Sequence, residues 1–194
     1  LTRTAMIHER ENALAQHVAM AISLIDSYKA KADSGAMKLE DAQSAAIAQL
    51  RPMRYNADKS GYLSIYRIAD HMMLMLPPNP KRENHNVDSK DINGLNITEA
   101  VIGHARLDSP SHISTYWFPK PGNPKPLEKL TYSLEVPGWG WSVSTGAYVD
   151  DIDQAFHAQL WHILILTLVV GLIVTGGILW AIRSIRRSLG GEPD

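Results

Sequence analysis

Two hydrophobic periods alternate along this chain of 194 residues. From Arg3 to Lys31 apolar residues return at helical spacing: Leu14, Val18, Ile22 and Ile25, with Tyr28 three further on. The stripe predicts one long amphipathic helix, about 40–45 Å at 1.5 Å per residue. Asp33-Ser34-Gly35 predicts its end, because glycine accepts the left-handed dihedrals of a helix C-terminus. Leu39, Ala42, Ala46 and Leu50 mark a second helix over 39–50, with Pro52 just beyond. After Gly61 the period falls to two. Tyr62, Ser64 and Tyr66 share one face of a predicted strand over 62–68, and Leu63 and Ile65 the other. Asp70-His71 predicts a turn, and 72–76 an apolar strand ended by Pro77-Pro78. A loop over 77–94 and a short helix over 97–107 follow. Three more strands, 114–119, 128–136 and 139–149, are bordered by Pro119–Pro126 and Pro137-Gly138. They are rich in Tyr, Trp, Val and Thr, which suit a pleated, half-buried surface. The fold class is therefore α+β: a long N-terminal helix packed on an antiparallel sheet of about five strands.

A different pattern closes the chain. Trp161–Ile182 holds 22 residues with no Asp, Glu, Lys or Arg. As a helix it spans about 33 Å, which matches a hydrocarbon core of about 30 Å. Trp161 and Trp180 stand at its ends, where indoles favour the membrane interface, and Arg183, Arg186 and Arg187 follow. By the positive-inside rule this end is cytoplasmic and residues 1–160 lie outside. Asp150, Asp151 and Asp153 favour a helix start near Asp150. No Gly or Pro interrupts 149–154, so the helix is expected to run on through Ile182.

Charge and composition narrow the function. A net charge of −1 points to neither nucleic acid nor an anionic membrane surface. The absence of cysteine excludes disulfides and thiolate metal sites. Leu1–Glu11 carries charges and no long apolar run, so no signal peptide is expected there. There is no G-x-S-x-G elbow, phosphate loop or paired acid constellation, so no enzyme activity and no cofactor are expected. Around His104 and His112 no carboxylate or histidine sits at a regular metal-ligand offset, and no metal site is expected.

Three motifs fall in order within about forty residues: Y-W-x-P-K-P-G from Tyr116, K-L-T-Y from Lys129, and P-G-W-G-W-S-V-S-T-G-A-Y-V-D-D-I-D from Pro137. Together they resemble the C-terminal half of single Cache sensor domains of the second type, found in bacterial transmembrane receptors. The resemblance implies an extracytoplasmic domain of PAS-like fold that binds small organic acids. The ligand would be a mono- or dicarboxylate of the acetate, propionate, pyruvate, lactate or malate class. The receptor would be a methyl-accepting chemotaxis protein, a homodimer in the bacterial inner membrane, with residues 1–160 periplasmic, 183–194 cytoplasmic and an earlier membrane helix upstream of Leu1. The tail RRSLGGEPD resembles the opening of a HAMP relay module. The chain then divides into a helical region (1–54), the sensor domain (55–153), a linker and membrane helix (154–182) and the start of the HAMP module (183–194). Two other readings stay open. One is the same sensor driving a histidine kinase or a cyclic-dinucleotide enzyme. The other is a membrane-anchored interaction module with no small ligand. The chain departs from the family at Leu76-Pro77, where a His-Pro pair is usual, and lacks a glycine near Glu83–Asn86.

A carboxylate ligand needs donors. An ammonium supplies charge and three N–H groups, and a phenol one O–H. The matched K-L-T-Y motif makes Lys129 and Tyr132 candidates. They point to opposite faces of a regular strand, so a joint role requires a bulge or a curved sheet edge. The alternative is a lysine that snorkels and a tyrosine that packs. Tyr116 is expected to face the pocket, because it has a hydroxyl, and Trp117 the long helix. Tyr62 and Tyr66 either close the pocket's other side or pack between sheet and helix. Arg67 is a further candidate anion partner, or a solvated side chain near a turn. Tyr148, Trp139 and Trp141 are expected to pack.

Overall fold

The structure is a computed structural model that describes residues 2–57, 59–120 and 122–189. Gly190–Asp194, the end of the HAMP-like tail, lie outside the described residues. One compact unit runs as far as Ile152, and a second begins at Asp153.

Helix α1 (Arg3–Asp33) starts at Thr2, whose hydroxyl accepts from Ala5 N–H at 3.3 Å. It ends at Ser34, whose N–H reaches Ala30 O at 3.0 Å, and Gly35 turns the chain away with φ +74°. Its buried face is Leu14, Val18, Ala21 and Ile25, with Ile22 and Tyr28 partly buried beside it. Helix α2 (Leu39–Leu50) packs on α1 through Ala42, Ala46 and Leu50. Leu39, expected on that face, is exposed, because it stands at the open first turn.

Five strands form one antiparallel sheet: β1 (Leu63–Arg67), β2 (Met72–Met75), β3 (Ile113–Pro119), β4 (Pro126–Val136) and β5 (Trp141–Tyr148). Their order is β2-β1-β5-β4-β3, so the first strand pairs with the last at the centre of the sheet. Helix α3 (Ile97–Ala105) lies between β2 and β3 in sequence and stops two residues short of the expected end, where Arg106 turns extended. β5 starts at Trp141 rather than Trp139. Gly138 and Gly140 take positive φ (+85° and +62°), which makes the P-G-W-G segment a turn. Val149 opens helix α4 (Val149–Leu189) rather than closing β5.

Both faces of the sheet are covered. Leu63, Ile65, Met75, Trp141 and Val143 form the main core with α1 and α2. Burying each such side chain stabilises the fold by roughly 1.5–3 kcal/mol. The opposite face carries Tyr62, Tyr66, Met73 and Tyr116 and is closed by α3, through Ile97, Val101 and Ile102, together with Leu76 and Val87 of the loop between β2 and α3. That second face is polar as well as buried: Ser64, Lys129, Thr131, Ser133, Ser142 and Ser144 lie on its strands.

Most of α4 belongs to the second unit. Phe156–Ile185 contains an 18-residue window of mean hydropathy 2.6, and among the described residues it is the one helix long and apolar enough to cross a membrane. The Thr167 and Thr175 hydroxyls donate to carbonyls one turn back at 2.8 Å, which satisfies them among apolar neighbours.

Candidate functional site

The polar face of the sheet, α3 and the loop after β2 enclose a small cavity. Its strand-side lining is Tyr62, Ser64 and Tyr66 around β1, Met73 of β2, Tyr116 and Phe118 of β3, Lys129 of β4 and Ser144 of β5. Ile97 and Val101 come from α3, and Leu76, Arg82 and Ser89 from the loop. About 30 Å³ is open to the centre of a water-sized sphere. One water needs about 10–15 Å³ by that measure, so the space suits a ligand of a few heavy atoms.

Lys129 is the chemical centre of this cavity. It is only 5% exposed. Its Nζ donates to the Tyr62 hydroxyl at 3.0 Å and lies 4.8, 5.5 and 5.2 Å from the ring centroids of Tyr62, Phe118 and Tyr148. Ring faces at such distances stabilise an ammonium by roughly 0.5–2 kcal/mol. Burial works against the charge, while the hydrogen bond to Tyr62 and the three ring faces work for it. These contacts favour the ammonium form of Lys129. Among the described residues no aspartate or glutamate lines the cavity to pair with it. A buried charge without a counter-charge is costly, and an incoming carboxylate would relieve that cost. The lysine stem fits because Gly146 stands beside it on β5. A Cβ there would lie 2.6 Å from Lys129 Cε.

Burial keeps the hydroxyls of Tyr116, Tyr66 and Tyr148 protonated. Burial pushes the Tyr116 hydroxyl up, against the opposing pull of Lys129, and Tyr116 exchanges a 2.8 Å hydrogen bond with Thr131 Oγ1. Burial also raises Tyr66. Tyr148, pushed up to about 12 mainly by burial, donates to Pro119 O at 2.9 Å. Ser64 and Ser144 share a 3.0 Å hydroxyl contact on the strands behind the cavity.

Of the residues singled out from sequence, the structure brings together Lys129, Tyr116, Tyr62 and Tyr66, and leaves out Tyr132 and Arg67. β4 pairs with β5 in unbroken register from Lys129↔Tyr148 to Val136↔Trp141. There is thus no bulge to turn Tyr132 toward Lys129. Tyr132 packs on the α1 face instead, its ring 5.7 Å from that of His112. Arg67 is spent on the β1–β2 turn, where its Nε and Nη2 donate to Asp70 at 2.8 and 2.6 Å. Trp117 is 37% exposed rather than packed under the long helix. The reason is strand order: α1 packs on β4 and β5, while β3 is the sheet edge. Leu76, the departure from the family's histidine, does line the cavity and makes that part of its wall apolar. Sequence reasoning missed Arg82, which ends a 3₁₀ turn at Pro80–Arg82. The proline opening N-P-K-R was a turn signal, but it carried no information on where the arginine would point.

A five-stranded antiparallel sheet with a helical pair on one face and an enclosed, cation-bearing pocket on the other is the build of a PAS-like sensor module. The chain belongs to the single Cache domain 2 family, whose profile matches residues 6–162. Among curated proteins it is 28% identical over 173 residues to the methyl-accepting chemotaxis protein McpP of Pseudomonas putida, covering 89% of this chain and 31% of that protein. It is 28% identical over 148 residues to the sensor histidine kinase MctS of Rhizobium johnstonii, covering 76% of this chain and 30% of that protein. The chain thus spans about a third of the length of these relatives. Among solved structures, a periplasmic sensor domain of a chemotaxis protein superposes with a TM-score of 0.68 at 28% identity, over 74% of this chain and 98% of that one. A Cache chemosensory domain described for its carboxylic acid recognition gives 0.69 at 25% identity, over 77% and 99%.

Proposed function

We propose that the first unit binds a small carboxylic acid outside the cytoplasm, and that α4 carries the response across the bacterial inner membrane. The observation that carries this reading is Lys129: a buried amine, ringed by phenols, in a cavity that no acid lines among the described residues. Lys129 supplies the charge, and Tyr116, Tyr62 and Tyr66 supply hydroxyl donors and walls. The ligand belongs to the acetate, propionate, pyruvate, lactate or malate class, and the small cavity favours its short members. Carboxylic acid recognition by a related Cache domain supports the same choice.

The arginines after Trp180 support a topology with residues 1–160 in the periplasm and 183–194 in the cytoplasm. The functional divisions are a helical region over 1–54, the sensor over 55–153, the linker and membrane helix over 154–182, and the start of a HAMP module from 183. In the full receptor the chain works as a homodimer in the bilayer. Binding shifts the population between two arrangements of sheet and loop, in proportion to the ligand's differential affinity. The output is that of a methyl-accepting chemotaxis protein, as in one relative. The second relative, a sensor histidine kinase, favours the same sensor with a different output.

A thermal-shift screen of some fifty organic acids at millimolar concentration tests the ligand claim. An acid present at a hundredfold excess over its dissociation constant stabilises by about 2.7 kcal/mol. For a unit of this size that is a rise of roughly 5–10 °C. No shift with any acid would favour a membrane-anchored interaction module without a small ligand.

A further inference from the structure

The loop side of the cavity offers two polar side chains, Ser89 and Arg82. Among the described residues the Arg82 guanidinium forms no hydrogen bond and no ion pair. The next residue is held very differently. Glu83 accepts from Arg51 Nη1 and Nη2 at 2.8 and 2.7 Å, and its Oε1 also accepts from Leu76 N–H at 2.7 Å. Arg51 is the residue that caps α2, and Leu76 is itself part of the cavity wall. One carboxylate therefore pins both ends of the segment from Leu76 to Glu83 to the helical layer. Arg82 sits inside that pinned segment, at the end of its 3₁₀ turn.

We infer that Arg82 is a second anchor for the ligand's carboxylate, and that the Glu83–Arg51 pair is the positioning element that holds it at the cavity. This rests on the reading of the cavity as a carboxylic acid site. A guanidinium presents five N–H donors in a fixed fork that matches a carboxylate. Here the fork is uncommitted, in a wall whose other charged group is the Lys129 ammonium. Lys129 provides charge from the sheet, and Arg82 closes on the same anion from the loop. Because Arg51 caps α2, an acid held by both cations is also tied, through Glu83, to the helical pair on the far side of the sheet.

The test is calorimetric titration of the whole chain in detergent micelles with sodium acetate, propionate and pyruvate. The variants are Arg82→Gln, Arg82→Lys, Arg51→Gln and the double Arg51→Gln/Arg82→Gln, each with a ligand-free melting temperature. Losing a charge-assisted hydrogen bond weakens binding about tenfold or more. Arg82→Gln should show that loss, and Arg82→Lys should recover only part of it. Arg51→Gln should weaken binding by a smaller factor, and the double variant should bind no worse than Arg82→Gln alone, since Arg51 acts through Arg82. If Arg51→Gln does not fold, Glu83→Gln replaces it in the same cycle. Parent-like affinity in Arg82→Gln would overturn the inference alone, and so would additive losses in the double variant. A parent that binds none of the three acids would overturn the carboxylate reading, and this inference with it.

Discussion

Lys129→Met separates the cost of a buried charge from its use. Methionine keeps the length of the stem and removes the ammonium. In the ligand-free protein, replacing a buried ion by an apolar side chain of similar volume is commonly neutral or stabilising by about 1–4 kcal/mol. Against that gain stand the hydrogen bond to the Tyr62 hydroxyl, worth roughly 1.5–3 kcal/mol for a charged donor, and three ring contacts of roughly 0.5–2 kcal/mol each. The lost contacts come to roughly 3–9 kcal/mol and exceed that gain, so the ligand-free variant should be less stable by about 2–5 kcal/mol and melt at least about 4 °C below the parent. Binding has no such compensation. Removing one partner of a buried charge pair costs about 3–5 kcal/mol, which is at least a hundredfold in Kd. Differential scanning calorimetry of the free variant and titration with the best acid of the screen measure the two quantities. Affinity within threefold of the parent, with an unchanged circular dichroism spectrum, would refute the role of Lys129 as the charge in the site.

Three other outcomes follow from named contacts. Gly146→Ala places a Cβ 2.6 Å from Lys129 Cε and 2.7 Å from the Leu130 carbonyl. Since backbone cannot yield like a side-chain tip, urea denaturation should show a loss of about 1–3 kcal/mol, together with weakened acid binding; an unchanged midpoint would contradict the packing. Glu83 is held below its ordinary value, chiefly by the Arg51 hydrogen bonds. A depressed carboxyl stabilises fully above its unfolded pKa of about 4.3 and progressively less as pH falls through the folded value. The parent should therefore lose stability below about pH 4.3 more steeply than Glu83→Gln, and parallel pH profiles would remove Glu83 from the account. Inserting Gly-Gly-Ser-Gly after Asp153 should leave acid binding intact and uncouple the cytoplasmic output, measured in cells carrying the full receptor. Output of normal amplitude would mean that the signal leaves through α1.

The elements were legible because each wrote its period into the chain. Leu14, Val18 and Ile25 became the buried stripe of α1, and Tyr62, Ser64 and Tyr66 share a face of β1 as alternation requires. Opposite faces for Lys129 and Tyr132 followed from the same period, and the regular β4–β5 register leaves them there. What depended on strand order was not legible. Trp117 would lie under a helix if β3 were central, but β3 is the edge. Arg67 failed as a pocket residue because a turn put Asp70 within reach of its guanidinium, a local pairing that competes with any ligand. Arg82 lay in a loop whose path is set by the long-range contact of Glu83 with Arg51, thirty-two residues away. Neither period encodes such a contact. The resemblance to Cache sensors likewise pointed to Lys129, while the absence of any acid around it emerged only when thirteen residues from distant segments met in one lining.

The most direct measurement is the crystal structure of the first unit grown with the acid that most raises its melting temperature. The account predicts that the carboxylate lies in the cavity between β1, β4 and α3, with an oxygen about 2.7–2.9 Å from Lys129 Nζ and the apolar end toward Leu76 and Val101. An acid bound elsewhere on the unit, with the cavity closed around Lys129 and Tyr62 as in the free protein, would contradict it.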